Sequence, residues 1–241
     1  NLAYLLAKMK KKVLVLDADV GLANIDVILG LTPKYNLYHV LQGEKSLREV
    51  ITPGPGGFMI LPSASGIQEM SDLSRGAKLT LLDEIKTLRE ELDFMLIDTG
   101  AGIAGNVMYF NMAAQEIIVV TSPEPTAMTD AYALIKVLYQ RHAKDRFRIL
   151  VNMVKNEEEA KEVFARLNQA TNHFLNVSVE YLGYVPQDEN ISEAVRKQKP
   201  FVSLYPYSRA SKCLQFLADK ISREAPERDV SGTLGFFWDA I

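Results

Sequence analysis

In VLVLDADVG the apolar run Val13–Leu16 ends in two aspartates one residue apart, Asp17 and Asp19. A second apolar run, FMLI, ends in Asp98 and passes into TGAG, with Gly100 and Gly102. Carboxylates so placed can do two kinds of chemistry. A hard dication such as Mg²⁺ takes oxygen ligands and keeps part of its hydration, so a strand-end aspartate can hold it directly or through water. A carboxylate beside a transferring phosphoryl group can also hold water in line for attack, in a reaction where the protein mainly positions groups and stabilises charge. The two glycines would let the backbone approach a phosphate and offer N–H donors. Read singly, each motif is also explained by an Asp-rich turn or a glycine-containing strand-to-helix turn. Thr121 and Ser122 after IIVV, and Asn152 after ILV, repeat the pattern of polar residues at strand ends.

Those residues need a scaffold. Continuous apolar runs suit strands covered on both faces, as in parallel sheets. Such runs occur at Val13–Leu16, Phe58–Leu61, Phe94–Ile97, Ile117–Val120 and Ile149–Val151, with a weaker one over Val177–Val185. Helical spacing of apolar residues predicts helices over 1–11, 79–92, 127–141, 157–174 and 207–223. Alternation of strand and helix along the chain predicts an α/β fold with a parallel sheet and helices on both faces. In such sheets ligands bind outside the carboxyl ends of the strands, which is where the polar residues fall.

Composition narrows the function classes. The 241 residues carry a net charge of −3, so no broad basic surface for nucleic acid is implied. Cys213 is the single cysteine, so no intrachain disulfide forms, and His39, His142 and His173 have no metal-ligand spacing. No apolar run approaches the roughly 20 residues needed to span a bilayer.

Four stretches, LDADVGLANIDVILGL, LIDTGAGI, VVTSPEPTAMTDAYALIK and LGYVPQDENISEAV, resemble the deviant-Walker ATPases of the MinD/ParA family. Within it, PEPTAMTDAYALIK, LTPKYNLYHVLQGEKSL and LPSASGIQEMSDL are similar to the flagellar-number regulator (FlhG/FleN) branch. The resemblance implies a Rossmann-like three-layer α/β fold of P-loop NTPase type, with a mostly parallel twisted sheet. It implies an ATPase domain over 1–223 that uses ATP/ADP and Mg²⁺. Asp19 matches the aspartate that positions the hydrolytic water, Asp17 its neighbour near the Mg²⁺ shell, and Asp98 the Walker B aspartate. Gly100 and Gly102 match the γ-phosphate-sensing switch. Asn152 matches the residue that reads adenine, where an amide can pair a donor and an acceptor with the base edge. Pro186 and Asp188 match the loop that closes over the base; Asp188 is equally placed to cap a helix starting near Asn190.

The family's strand and KGGVGKT-type loop have no counterpart in these 241 residues. Gly54–Gly57 in PGPGG has no following lysine. The fold is therefore expected without its N-terminal strand and phosphate loop, which would lie ahead of Asn1. Residues 224–241 read as a polar linker and a tail, GTLGFFWDAI, in which Leu234, Phe237, Trp238 and Ile241 would share one helix face suited to a membrane interface. The resemblance further implies an ATP-bound homodimer. Its partners would be an SRP-type GTPase (FlhF), flagellar switch proteins or a flagellar transcription activator, and its location the cytoplasm with reversible membrane association. Against an ATPase switch stand a non-catalytic interaction protein of the same fold and a division-site or partition ATPase. A nitrogenase-reductase-like role needs cysteines for a cluster, which one Cys213 does not supply.

Overall fold

The computed structural model describes residues 1–19, 23–63, 74–88 and 91–224; Leu234, Phe237, Trp238 and Ile241 lie outside them. The described residues form two compact units, Asn1–Gly100 with Glu189–Pro206, and Ala101–Asp188 with the residues from Tyr207 on.

The first unit is built on β1 (Val13–Asp17), β2 (Thr52–Pro53), β3 (Met59–Leu61) and β4 (Phe94–Asp98), in the order β2-β3-β1-β4. β1 runs parallel to both β3 and β4 and is buried along its whole length, as a strand covered on both faces should be. β4 is half-buried from Phe94 to Ile97 and exposed at Asp98. The two-residue β2 pairs antiparallel with β3 and was not expected; it is too short to carry a periodic signal, and its Pro53 suits an edge strand.

Helices α1 (Leu2–Lys8), α2 (Ile25–Ile28), α3 (Leu37–Leu41), α4 (Leu47–Val50), α5 (Arg75–Lys86), α9 (Asn190–Arg196) and α10 (Phe201–Leu204) complete this unit. α1 stops three residues short of the expected end. Lys10 adopts a left-handed φ of 63°, and the Lys10 and Lys11 amides turn back to the Ala7 and Leu6 carbonyls. α5 begins four residues before the expected start, because the Ser74 hydroxyl accepts from the Ala77 amide and opens the helix there.

The second unit holds β5 (Ile118–Thr121), β6 (Arg148–Val154) and β7 (Glu180–Pro186), all parallel in that order, with α6 (Gly105–Ala113), α7 (Pro125–His142), α8 (Glu157–Leu175) and α11 (Arg209–Glu224). α7 starts with proline at its first position, where the missing N–H costs nothing, and ends at Ala143 in the left-handed region. α8 is capped by the Asn156 side chain, which accepts from the Glu159 amide at 3.0 Å, and carries Glu157–Glu159 against the positive end of its dipole. Ile135, Leu138, Phe147, Ile149, Val151 and Leu167 form the dry centre of this unit.

The strand expected at Ile149 begins instead at Arg148, a buried cation at the amino edge of the sheet. Its guanidinium donates to Glu116 and Glu180 at 3.2 Å each and to Glu224, the last residue of α11. Three carboxylates distant in sequence thus let an arginine open a core strand, and they fix the end of α11 to the sheet. Replacing one member of a buried ionic cluster leaves others uncompensated. The three carboxylates are partly exposed and can rehydrate, so Arg148→Ala is expected to cost about 2–3 kcal/mol, below the usual range for a fully buried pair. Denaturant unfolding checks this, with Arg148→Lys recovering only part of the loss.

Candidate functional site

The pairing of β1 with β4 brings the expected carboxylates together. Asp17 stands in register with Asp98, and the Ala18 amide continues the ladder to the Asp98 carbonyl at 2.8 Å. Laterally paired residues of parallel strands point to the same face, as do residues two apart. The DxD and DxG spacings therefore bring Asp19 beside Gly100 as they bring Asp17 beside Asp98. A methyl group on Gly100 would lie 2.7 Å from the Asp19 Oδ1, inside van der Waals contact. Glycine is thus required there to seat the Asp19 carboxylate.

Asp17 is 3 % exposed. Its Oδ2 accepts from the Asn24 amide at 3.0 Å and the Ile25 amide at 3.1 Å. It therefore holds the amino end of α2 while facing the edge, and the turn-forming and metal-facing readings of this residue are compatible. Burial raises its pKa, the backbone N–H groups of Ile25, Asn24 and Asp19 counter that, and the Asp19 charge adds to it. Asp98 is exposed at the strand end, yet its pKa is also raised, by partial desolvation first and then by the negative charges of Asp17 and Asp19. Oxygen donors held together at a cost suit a hard cation. Among the described residues no group of three or more His, Cys, Asp and Glu is gathered as metal ligands. Asp17 and Asp98 fit Mg²⁺ as a pair of oxygen donors that leaves its other positions to water and phosphate.

The remaining candidates lie in the second unit. Asn152 is near the carboxyl end of β6, paired with Val185, and Pro186 pairs with Val154 one step later. Between them the ladder slips at Met153, which takes a left-handed φ of 60° and is 54 % exposed. This bulge ends regular pairing and re-aims its neighbours. The Asn152 Oδ1 accepts from the Met153 amide at 3.0 Å, which fixes the amide plane. Met153 was not singled out in the sequence, because a left-handed methionine has no compositional signal. Pro186 is buried, Asp188 is half-buried, and Gly102, at φ 93°, has open space around its Cα. The helix near Asn190 has Glu189 as its N-cap residue, whose own side chain makes no capping bond.

A parallel α/β sheet with paired aspartates at its carboxyl edge places oxygen donors where such sheets bind their ligands. The family model described as "ParA: NUBPL iron-transfer P-loop NTPase" matches residues 1–222. The chain is 43 % identical over 237 residues to antiactivator FleN of Pseudomonas aeruginosa, covering 98 % of this chain and 85 % of that protein. It is 34 % identical to flagellum site-determining protein YlxH of Helicobacter pylori, covering 98 % and 82 %. The structure superimposes on septum site-determining protein MinD of Pyrococcus horikoshii, solved with Mg-ADP, with a TM-score of 0.73 and 27 % identity over 91 % of this chain and 87 % of that one. The chain belongs to the ParA/MinD family of P-loop NTPases.

Two outcomes follow from the carboxylate geometry. Raised pKa values mean that the folded state holds these protons more tightly than the unfolded chain. The stability they contribute is present below the ordinary value of 3.8 and is lost as pH rises through the folded values. At neutral pH the ionised pair is a net cost that a cation offsets. Mg²⁺ at ten times its Kd is expected to raise Tm by roughly 2–5 °C at neutral pH. The increment should shrink toward pH 4 and vanish in Asp98→Asn; an equal increment at both pH values would contradict the assignment. Gly100→Ala is expected to leave the fold intact by circular dichroism and to lower ATP turnover by roughly tenfold to a hundredfold, because Asp19 must swing away.

Proposed function

We propose that this chain is an ATP-dependent switch of MinD type that regulates the number and placement of flagella. The identity to FleN and YlxH supports the flagellar assignment, and the observation that carries the chemistry is the registered pair Asp17–Asp98 with Asp19 seated on Gly100. Residues 1–223 act as one ATPase domain. Asp98 and Asp17 would hold the Mg²⁺ of Mg-ATP, and Asp19 would orient water. Mg²⁺ supplies charge neutralisation for the phosphates. The water oxygen bonds to the γ-phosphorus as the bond to the β–γ bridging oxygen breaks, a water proton passes to solvent, and ADP and phosphate leave. Gly100 and Gly102 offer backbone N–H groups to the γ-phosphate, and Asn152, Pro186 and Asp188 read the base.

ATP binding closes two copies into a homodimer, and hydrolysis releases them. The partners are those of the flagellar branch: an SRP-type GTPase (FlhF), flagellar switch proteins or a transcription activator. The protein acts in the cytoplasm and associates reversibly with the inner face of the membrane through the tail bearing Leu234, Phe237, Trp238 and Ile241. No helix among the described residues is long and apolar enough to cross a membrane. Positioning of water by Asp19 is worth on the order of a hundredfold or more in rate. Asp19→Ala is expected to retain ATP binding and dimerisation while phosphate release falls by at least that much. Unchanged turnover would remove Asp19 from the reaction, and absence of ATP binding by the unaltered protein would leave a non-catalytic interaction protein of the same fold.

A further inference from the structure

The last helix of the second unit, α11, carries a surface that the nucleotide chemistry does not use. Its inner face is set by Ala210, Leu214, Leu217, Ala218 and Ile221, all buried. Contact with β7 is close: Gly183, at φ 152°, has no side chain, and the Leu217 Cδ2 occupies the place a Cβ would take, at 2.8 Å. On the outer side Arg209, Lys212, Phe216, Lys220 and Arg223 fall within an arc of about 80° at 100° per residue. The stripe runs about 20 Å along the helix.

Phe216, at its middle, is 64 % exposed. Lys220 is occupied, its ammonium lying near the Tyr181 and Leu182 carbonyls and 3.6 Å from Glu180. Arg209, Lys212 and Arg223 are exposed and have no ion pair with the described residues. Three exposed cations therefore flank one solvent-facing phenyl ring, with Asp219, one turn from Arg223, as the acidic residue bordering the stripe, on a chain whose net charge is −3. Glu224, at the end of the same helix, is held by Arg148 at the amino edge of the sheet. From this anchored end the sequence runs on to Phe236, Phe237 and Trp238.

We propose that the outer stripe of α11 is a docking face for an anionic phospholipid surface. The Phe216 ring enters the interface, and Arg209, Lys212 and Arg223 engage the headgroup phosphates. Charge complementarity selects an anionic partner. Continuity with a sequence rich in Phe and Trp selects a bilayer over an acidic protein, since aromatic rings partition to the headgroup boundary. Each basic side chain near an anionic surface adds attraction, and the attraction is screened by salt. The inference rests on the membrane association proposed above and extends it from the tail to the folded body, which would give the bound protein a fixed orientation.

The test is sedimentation of the full chain with vesicles of phosphatidylcholine containing roughly 30 % phosphatidylglycerol, or none, with and without Mg-ATP. Three proteins are compared with the unaltered one: Lys212→Glu with Arg223→Glu, Phe216→Ser, and Phe237→Ser with Trp238→Ser. Phe216, Lys212 and Arg223 are exposed, so the first two variants keep the fold, which circular dichroism verifies. The expected result is binding to anionic vesicles only, weakened at least tenfold by the charge reversal and severalfold by Phe216→Ser. If the stripe variants bind as the unaltered protein does while the tail variant is lost from the pellet, the stripe proposal fails and the tail reading stands. If the stripe variants lose binding while the tail variant retains it, the tail reading fails and the stripe stands. If the unaltered protein binds no vesicle, both are overturned.

Discussion

Parallel pairing of β1 with β4 in a single register is the constraint on which the site depends. It sets Asp17 opposite Asp98 and, two residues on, Asp19 against Gly100. A slip by one residue would turn one strand's carboxylates to the other face of the sheet. The register is held by five consecutive pairs of mostly apolar residues and by a β1 that is buried from end to end. Burial first, and then the like charges gathered at this edge, raise the pKa values of Asp17 and Asp98. That arrangement is unfavourable in isolation, and in the proposed function a dication and a polyphosphate would offset it, which is the usual relation between a binding site and the stability of its empty form.

The two units divide their polar groups by sheet edge. In the second unit the carboxyl edge carries Asn152, Met153 and Pro186 around a bulge, whereas the amino edge carries the ionic cluster of Arg148. The first arrangement presents an oriented amide beside an unusual backbone angle. The second neutralises a buried cation and anchors the last helix. The bulge and the ionic cluster are thus kept at opposite ends of the same strand, β6.

Much of this was readable from residue order. The strands announced themselves as continuous apolar runs, because strands buried on both faces have no polar alternation to hide them. The placement of Asp17, Asp98 and Asn152 at carboxyl ends followed from where those runs stop. What escaped notice depended on partners far away in the chain or on backbone shape. Arg148 reads as a loop residue until Glu116, Glu180 and Glu224 are brought to it. The bond from Asp17 to the start of α2 spans seven and eight residues, beyond any capping pattern. Helices of four or five residues such as α2, α3 and α4 are too short to show a period. Lys10 and Met153 take left-handed angles without glycine, so neither turn was visible. Gly100 was expected to serve a phosphate; what the structure shows is that its bare Cα makes room for Asp19.

The most direct measurement is a calorimetric titration of the full-length protein with ATP, once in millimolar Mg²⁺ and once in EDTA. If Asp17 and Asp98 form half of a metal–nucleotide site, ATP binds in Mg²⁺, and the affinity falls at least tenfold in EDTA and in Asp98→Asn. Equal affinity in all three conditions would mean that the registered aspartates hold no metal, and the account of the site would be wrong.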